Sequence, residues 1–211
     1  MIILILFSAI FVLIWIFAQV IVIKKEKNQK LKKIHDSTIF NTIIVSLWCI
    51  FVFFILPFSP QSIFYGDNMV LMKFIGQILI IFGILNFIWL FIQKRGIGAQ
   101  EMDKLLTKGA YGFSRHPIYL SHMLILYGLI FEVGAFDALI LSPMFILMYI
   151  ITARIEEVYS IGKIFKEEYE KYRKSVPMFL KWWLTLIFGT IFVIFFLFSL
   201  NNGFLLIQIK L

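Results

Sequence analysis

Met69–Gln93 reads MVLMKFIGQILIIFGILNFIWLFIQ, with a single charge, Lys73, near its start. The hydrocarbon core of a bilayer is about 30 Å thick, and about 20 apolar residues of helix cross it. This stretch is long and apolar enough. In lipid its backbone polar groups must be satisfied internally, and no closed-barrel alternation is visible, so it reads as a helix. The same reading extends outward to Ile2–Ile23, Ile39–Phe58 and Trp182–Leu200. Two shorter runs, Ile118–Val133 and Phe136–Ala153, are joined by a tight turn near Gly134 and form a helical hairpin. The expectation is an all-α integral membrane protein with five to six transmembrane helices.

Composition agrees. Of 211 residues, 61% are hydrophobic and 15% charged, whereas soluble domains are nearer half apolar and a quarter charged. The one cysteine, Cys49, lies in an apolar run and cannot form an internal disulfide; it reads as a packing residue. The net charge of +8 is unevenly spread. Eighteen of the 20 Lys and Arg fall in Lys24–Thr38, Lys94–Pro117 and Arg154–Lys181, and none in the alternate loops Ser59–Asn68 and Glu132–Asp137. Such alternation is the positive-inside pattern of a multi-pass protein. It places the amino terminus outside, the three basic segments in the cytoplasm and, with six spans, Asn201–Leu211 outside. With no basic groove interleaved with aromatics, nucleic acid is not the expected partner. The first segment lacks a basic leader and a small-residue cleavage site, so it reads as a retained anchor. Residues 1–211 form one membrane domain: three amino-terminal spans in 1–93, a core in 94–180 and an extra carboxyl-terminal span and tail in 181–211.

Ile155–Leu180 has a different character. Ile161, Phe165, Tyr169, Tyr172 and Val176 recur at steps of three or four, one apolar stripe on a helix. The opposite face carries the opposite-sign i,i+4 pairs Lys163/Glu167, Lys166/Glu170, Glu167/Lys171 and Glu170/Lys174. Pro177 should end this helix. It is an amphipathic helix along the cytoplasmic interface.

Two features stand apart from packing. Arg115-His116-Pro117-Ile118-Tyr119 sits at the cytoplasmic mouth of the fourth span, and Glu156-Glu157 at the cytoplasmic end of the fifth. In a hairpin both lie at one membrane level, and polar groups converging at a helix-lined mouth suggest a binding site. Pro117 suits a first helical turn. The free N–H groups there, with Arg115 and His116, favour an anionic group such as a carboxylate or phosphate. Glu156 or Glu157 opposite suits an ammonium or ribose hydroxyls, so a zwitterion would satisfy both ends. Each residue also has a plain reading: Arg115 as a topology anchor, His116 and Tyr119 as interfacial side chains, the acids as a solvated helix start. Other motifs are weaker. Gly96-Ile97-Gly98 follows a helix rather than a strand, so it is no dinucleotide turn. His35 and His122 lack partners at metal-ligand spacing, so no metal is expected. Lys73 reads as a snorkelling side chain.

The run Leu106-Thr107-Lys108-Gly109-Ala110-Tyr111-Gly112-Phe113-Ser114-Arg115-His116-Pro117-Ile118-Tyr119, followed by Glu156-Glu157, Phe165, Tyr169, Tyr172 and Val176-Pro177, resembles the isoprenylcysteine carboxyl methyltransferase family, which is related to phospholipid methyltransferases. The resemblance covers roughly residues 104–180 and makes 94–180 the cofactor-binding methyltransferase core. It implies a membrane-embedded methyltransferase that uses S-adenosylmethionine at the cytoplasmic face on a lipophilic acceptor from the bilayer. The acceptor it implies is an isoprenylcysteine-type carboxylate, with a phospholipid amine or small thiol as alternatives. By the same resemblance Gly109, Tyr111, Phe113, His116, Tyr119, Glu156 and Glu157 bind the cofactor, and Arg115, Glu156 and Glu157 are catalytic. The chain departs from the family pattern at Ala110 and Gly112, where Pro and Arg are frequent, and at Ser121 and Lys166, where Gly is common. Two other classes compete: a nicotinamide-dependent membrane reductase, by fold-level analogy alone, and a non-enzymatic membrane scaffold.

Overall fold

The computed structural model describes residues 2–35, 68–94, 104–181, 184–190, 193 and 197. The expected span Ile39–Phe58 with Cys49, Gly96-Ile97-Gly98 and the tail Asn201–Leu211 lie outside the described residues, as does most of Trp182–Leu200 beyond the helical stretch 184–190.

The described residues form helices and no strand. In chain order these are α1 (Ile2–Lys24), a 3-10 turn (Lys25–Lys27), α2 (Gln29–His35), α3 (Asn68–Lys94), α4 (Ala110–Phe113), α5 (Pro117–Val133) and α6 (Phe136–Glu156). A π turn (Glu157–Ile161) and α7 (Gly162–Ser175) follow. Among the described residues one helix, Val70–Gln93 within α3, is long and apolar enough to cross a membrane, and Ser8–Lys24 and Pro117–Val133 are shorter apolar helices. The hairpin of α5 and α6 matches the sequence expectation, except that α6 continues past Ala153 to Glu156.

The closest helix pair, α3 with α5, is made possible by missing side chains. A methyl group on Gly128 would lie 2.7 Å from the Gly76 carbonyl oxygen, and one on Gly83 3.0 Å from the Ser121 carbonyl oxygen. Small residues let helices in lipid approach this closely, and the gain is dispersion rather than hydrophobic transfer. At the lower end of the pair Asn86 Nδ2 donates to the Pro117 carbonyl at 2.9 Å and to Ser121 Oγ at 2.7 Å. This fixes the first turn of α5 to α3.

Gly134 ends α5 in the left-handed region, with φ 69° and ψ 37°, and its N–H and that of Ala135 both bond the Ile130 carbonyl. Glycine adopts that conformation without a Cβ penalty, and the chain reverses directly into α6. Helix α1 joins α6 where Trp15 Nε1 donates to Thr152 Oγ1 at 3.0 Å. Between these helices lies a core that includes Phe11, Met72, Leu79, Leu126, Ile130, Leu139 and Phe145. The outer face of α3 keeps Val70, Phe82 and Ile92 exposed. An apolar surface of that extent needs a cover.

The amphipathic stripe does its expected work. Tyr169, Tyr172 and Val176 are buried together, with Leu105, Ile161 and Phe165 packed against them. The helical reading of Ile155–Leu180 is refined: α6 supplies its start, the π turn follows, and α7 ends at Ser175, with extended Val176 opening a non-helical stretch to Lys181. On the solvent face Arg173 pairs with Glu170 at 3.2 Å. Inside α7, Lys166 has φ 42° and ψ −112°, a conformation that costs an L-residue about 1–2 kcal/mol.

Two stability predictions follow from backbone geometry. Gly128→Ala should destabilise the detergent-solubilised protein by about 1–3 kcal/mol, because two of the three nearest neighbours of the new methyl, the Gly76 carbonyl oxygen and the Ile80 nitrogen, are backbone atoms that cannot swing aside; a thermal-unfolding midpoint equal to wild type would contradict the α3–α5 contact. Lys166→Gly should raise that midpoint, by the equivalent of about 1 kcal/mol.

Candidate active site

The site is assembled from three directions. The loop before α5 carries Arg115 and His116, the end of α6 and the π turn carry Arg154, Glu156 and Glu157, and the segment after α7 closes beneath them. Backbone pairing holds the loop in place. The Arg115 N–H donates to the Pro177 carbonyl at 3.0 Å, and the His116 N–H to that of Met178 at 3.1 Å. Ser114 Oγ adds a bond to the Met178 carbonyl at 2.9 Å. The stretch after α7 is thus laid along Ser114–His116, and Pro177, which ends the helix, also supplies an acceptor.

Arg115 is 8% exposed. Its Nη1 donates to the carbonyls of Arg173 at 2.7 Å and Val176 at 3.2 Å, capping α7. Its Nε lies 3.0 Å from Glu157 Oε1, close enough for an ion pair although the N–H is not aligned as a hydrogen bond. The guanidinium therefore faces protein rather than the mouth. Glu157 is 3% exposed. Its Oε1 also meets His116 Nε2 at 3.2 Å, and its Oε2 meets Arg154 Nη1 at 3.2 Å. Burial raises the Glu157 carboxyl pKa, but His116 and Arg115 outweigh burial and hold it at about 2.

Glu156 is placed differently. Its side chain is 37% exposed, with Oε2 3.5 Å from His116 Nδ1. Tyr119 Oη donates to its Oε1. His116 is thus flanked by a carboxylate at each ring nitrogen, and it stacks on Tyr119 with ring centroids 5.6 Å apart and planes 4° from parallel. Burial lowers the His116 pKa, yet the bonds and charges of Glu156 and Glu157 prevail and raise it above 6.5. Only a doubly protonated imidazole can donate at both nitrogens.

The glycine-bearing loop forms a side wall. Gly109 has φ 64°, and Gln93 spans it by donating to the Lys108 carbonyl at 2.7 Å and accepting from the Ala110 N–H at 3.1 Å. Tyr172 Oη donates to the Tyr111 carbonyl at 2.6 Å. Burial, then the charge of Glu156, push the Tyr111 hydroxyl up to about 12, so it stays protonated beside the cluster. Phe113 is 41% exposed on the outer side of α4. Tyr169 Oη is buried near Glu157 with no well-aligned bond, and burial and that charge raise its pKa.

Of the residues singled out in the sequence, the fold brings Arg115, His116, Tyr119, Glu156 and Glu157 together and sets Tyr111 beside them. Gly109 and Phe113 stand at the rim. Arg154, Ser114, Asn86 and Gln93 were not singled out. Arg154 carried a signal, its i,i+3 spacing to Glu157; Ser114 and Gln93 act through backbone partners, and Asn86 through the Pro117 carbonyl and Ser121 Oγ, none of which spacing reveals. His122 is enclosed by Phe87 and Tyr149. Among the described residues no group of three His, Cys, Asp or Glu is arranged to hold a metal.

Above the cluster lies an apolar cavity of about 300 Å³ between α3, α5, α6 and residues 179–189. Phe179 belongs to both, lining the cavity while its ring sits 6.2 Å from that of His116.

Among the described residues, helices alone build the fold, one of them is long and apolar enough to cross a membrane, and a charged cluster lies beneath an apolar cavity. The chain belongs to the phospholipid methyltransferase family, whose sequence profile matches residues 62–168 and which is shared with isoprenylcysteine carboxyl methyltransferases. Neither a curated protein nor a solved structure matches the chain. Membership makes it a membrane methyltransferase.

The two titrations bound a pH window. The His116 pKa is raised on folding, so its stabilisation is complete below 6.5 and is lost as pH rises through the folded value. The Glu157 pKa is depressed, so its stabilisation is present above 4.5 and is lost as pH falls toward about 2. Unfolding midpoints should be highest between 4.5 and 6.5 and decline on both sides. His116→Gln should remove the alkaline decline and keep an acid one; an alkaline decline of wild-type size in that variant would assign it elsewhere.

Proposed function

We propose that this chain is a multi-pass membrane enzyme of five to six spans, with its amino terminus outside, that uses S-adenosylmethionine to methylate a lipophilic acceptor at the cytoplasmic face. The observation that carries this reading is the half-exposed Glu156 carboxylate beside buried His116, directly below the apolar cavity. Residues 1–211 act as one membrane domain, with 94–180 as the cofactor-binding core and 181–211 as an added span and tail.

The residues present fit the cofactor. Glu156 offers a solvent-reachable carboxylate to an ammonium or to ribose hydroxyls, and Tyr111, Gly109 and Phe113 offer an aromatic and backbone rim to a nucleoside. Tyr119 lines the pocket and holds Glu156. His116, cationic between two acids, is satisfied by them and fixes Glu156 at the mouth. When bound, S-adenosylmethionine supplies an electrophilic methyl group on a sulfonium. The protein's share is alignment and the exclusion of water, which are what an in-line displacement requires. Arg115 and Glu157 serve that alignment by fixing the loop to α6 and α7.

The geometry favours an amine-bearing membrane lipid as acceptor. The Arg115 guanidinium is consumed by Glu157 and two carbonyls, which leaves Glu156 as the charge facing the mouth. An ammonium group would be held there, and the Glu156 carboxylate, steadied by His116, can take the proton it loses before attack. A second reading, an isoprenylcysteine-type carboxylate, draws support from Arg154, whose side chain is 54% exposed at the same rim.

Purified protein in detergent should bind S-adenosylhomocysteine in a calorimetric titration, with affinity about tenfold or more weaker in Glu156→Gln, the loss expected for a charged hydrogen bond. Equal heats in the two proteins would overturn the assignment of Glu156. Methyl-labelled cofactor incubated with phosphatidylethanolamine vesicles or with an S-prenylated cysteine then separates the acceptors: label in an amine favours the first reading, and a base-labile methyl ester the second.

A further inference from the structure

The apolar cavity is bounded on one side by residues that lie beyond the family-matched segment. Thr185, Phe188 and Gly189 line it from the helical stretch 184–190, whereas the match ends at residue 168. Along α5 the lining runs from Leu120 to Phe131, about 16 Å at about 1.5 Å per residue. That is close to half of the roughly 30 Å hydrocarbon core, one leaflet's depth. The cavity begins at Phe179, against His116, and runs from the charged cluster toward the level of the bilayer centre.

Gly189 is the odd residue in this wall. Gly76, Gly83 and Gly128 are required by packing, because a Cβ on any of them would collide with a neighbour. A Cβ on Gly189 would meet nothing within 4 Å, and its φ lies outside the left-handed region. Glycine weakens a helix, and here neither contact nor backbone conformation asks for it. Gly189 lines the cavity, and a side chain there would enter open space.

We propose that the cavity is the subsite for the hydrocarbon tail of the acceptor, and that the added helix, through Gly189, sets the length of tail accepted. This rests on the reading of the chain as a methyltransferase of lipophilic acceptors. The tail lies along α5 with its polar end at His116 and Glu156. Gly189 stands one helical turn beyond Thr185, so a large side chain there obstructs the deeper part and leaves the part next to Phe179 open. Short tails remain accommodated and long ones do not.

The test uses full-length protein and single-tailed phosphoethanolamines with octyl and dodecyl chains, their retention measured by native mass spectrometry. The wild type should hold the dodecyl probe at least about tenfold more tightly than the octyl, since additional methylenes are buried. In Gly189→Phe that preference should fall to within about twofold, and in Gly189→Ala it should persist. Gly189→Leu should follow the phenylalanine variant and carries the test if that variant does not fold. A dodecyl preference of wild-type size in both large variants overturns the proposal. S-adenosylhomocysteine binding, measured in parallel, should be equal in all variants. Its absence from the wild type would overturn the methyltransferase reading alone, with the tail series still deciding the role of Gly189.

Discussion

Glu157 shares its two carboxylate oxygens among Arg115, His116 and Arg154 in a place that water scarcely reaches. A buried carboxylate is tolerated only when its charge is matched and its lone pairs are used, and here the matching groups come from the loop before α5 and from α6 itself. Arg115 carries the connection onward to the carbonyls that end α7. One ion cluster therefore sets the loop, the end of the hairpin and the amphipathic helix in a common frame. Removing one partner leaves the others buried and unbalanced, so the arrangement resists partial change.

The two adjacent acids divide the work. Glu157 is turned inward and neutralised, while Glu156 remains accessible and is steadied by Tyr119. The ligand proposed for the mouth would meet a carboxylate whose orientation is already set, so little ordering would remain on binding. The rest of the fold supports the same end. Asn86 and Gln93, two helical turns apart on α3, hold the two ends of the loop between Lys108 and Ser121. The glycine-mediated approach of α3 to α5 brings them within reach.

Much of this was legible in the sequence. The apolar runs gave helix limits to within a few residues for α1, α3 and α5, because each run is long, almost uninterrupted and ended by charged or turn-forming residues. Gly134 announced the reversal, and the stripe Ile161, Phe165, Tyr169, Tyr172, Val176 announced the buried face of α7. The convergence of Arg115-His116 on Glu156-Glu157 followed from the hairpin alone. What could not be read was orientation within the cluster. Neighbouring acids look alike in a sequence, and whether Arg115 faces the mouth or the carbonyls of Arg173 and Val176 depends on how the chain after Pro177 folds back. Asn86 and Gln93 were hidden for a related reason: apart from the Asn86 bond to Ser121 Oγ they contact backbone carbonyls and an amide, which most residue types could have supplied.

The π turn at Glu157–Ile161 has a consequence for how this chain can change over time. Such a turn holds about one residue more than an α turn, so it acts as a register adjuster between the bundle and the amphipathic helix. Deleting one of Val158, Tyr159 or Ser160 would let the turn close as an ordinary α turn with the downstream phase kept, whereas a deletion within α7 ahead of Tyr169 would rotate everything beyond it by about 100°. Tyr169 and Tyr172 would leave their buried seats, and the carbonyls that Arg115 caps would turn away. The joint that looks most irregular is the one place where this long helical stretch can lose a residue without turning its buried face away, as point changes on the solvent side of α7 also leave the phase untouched.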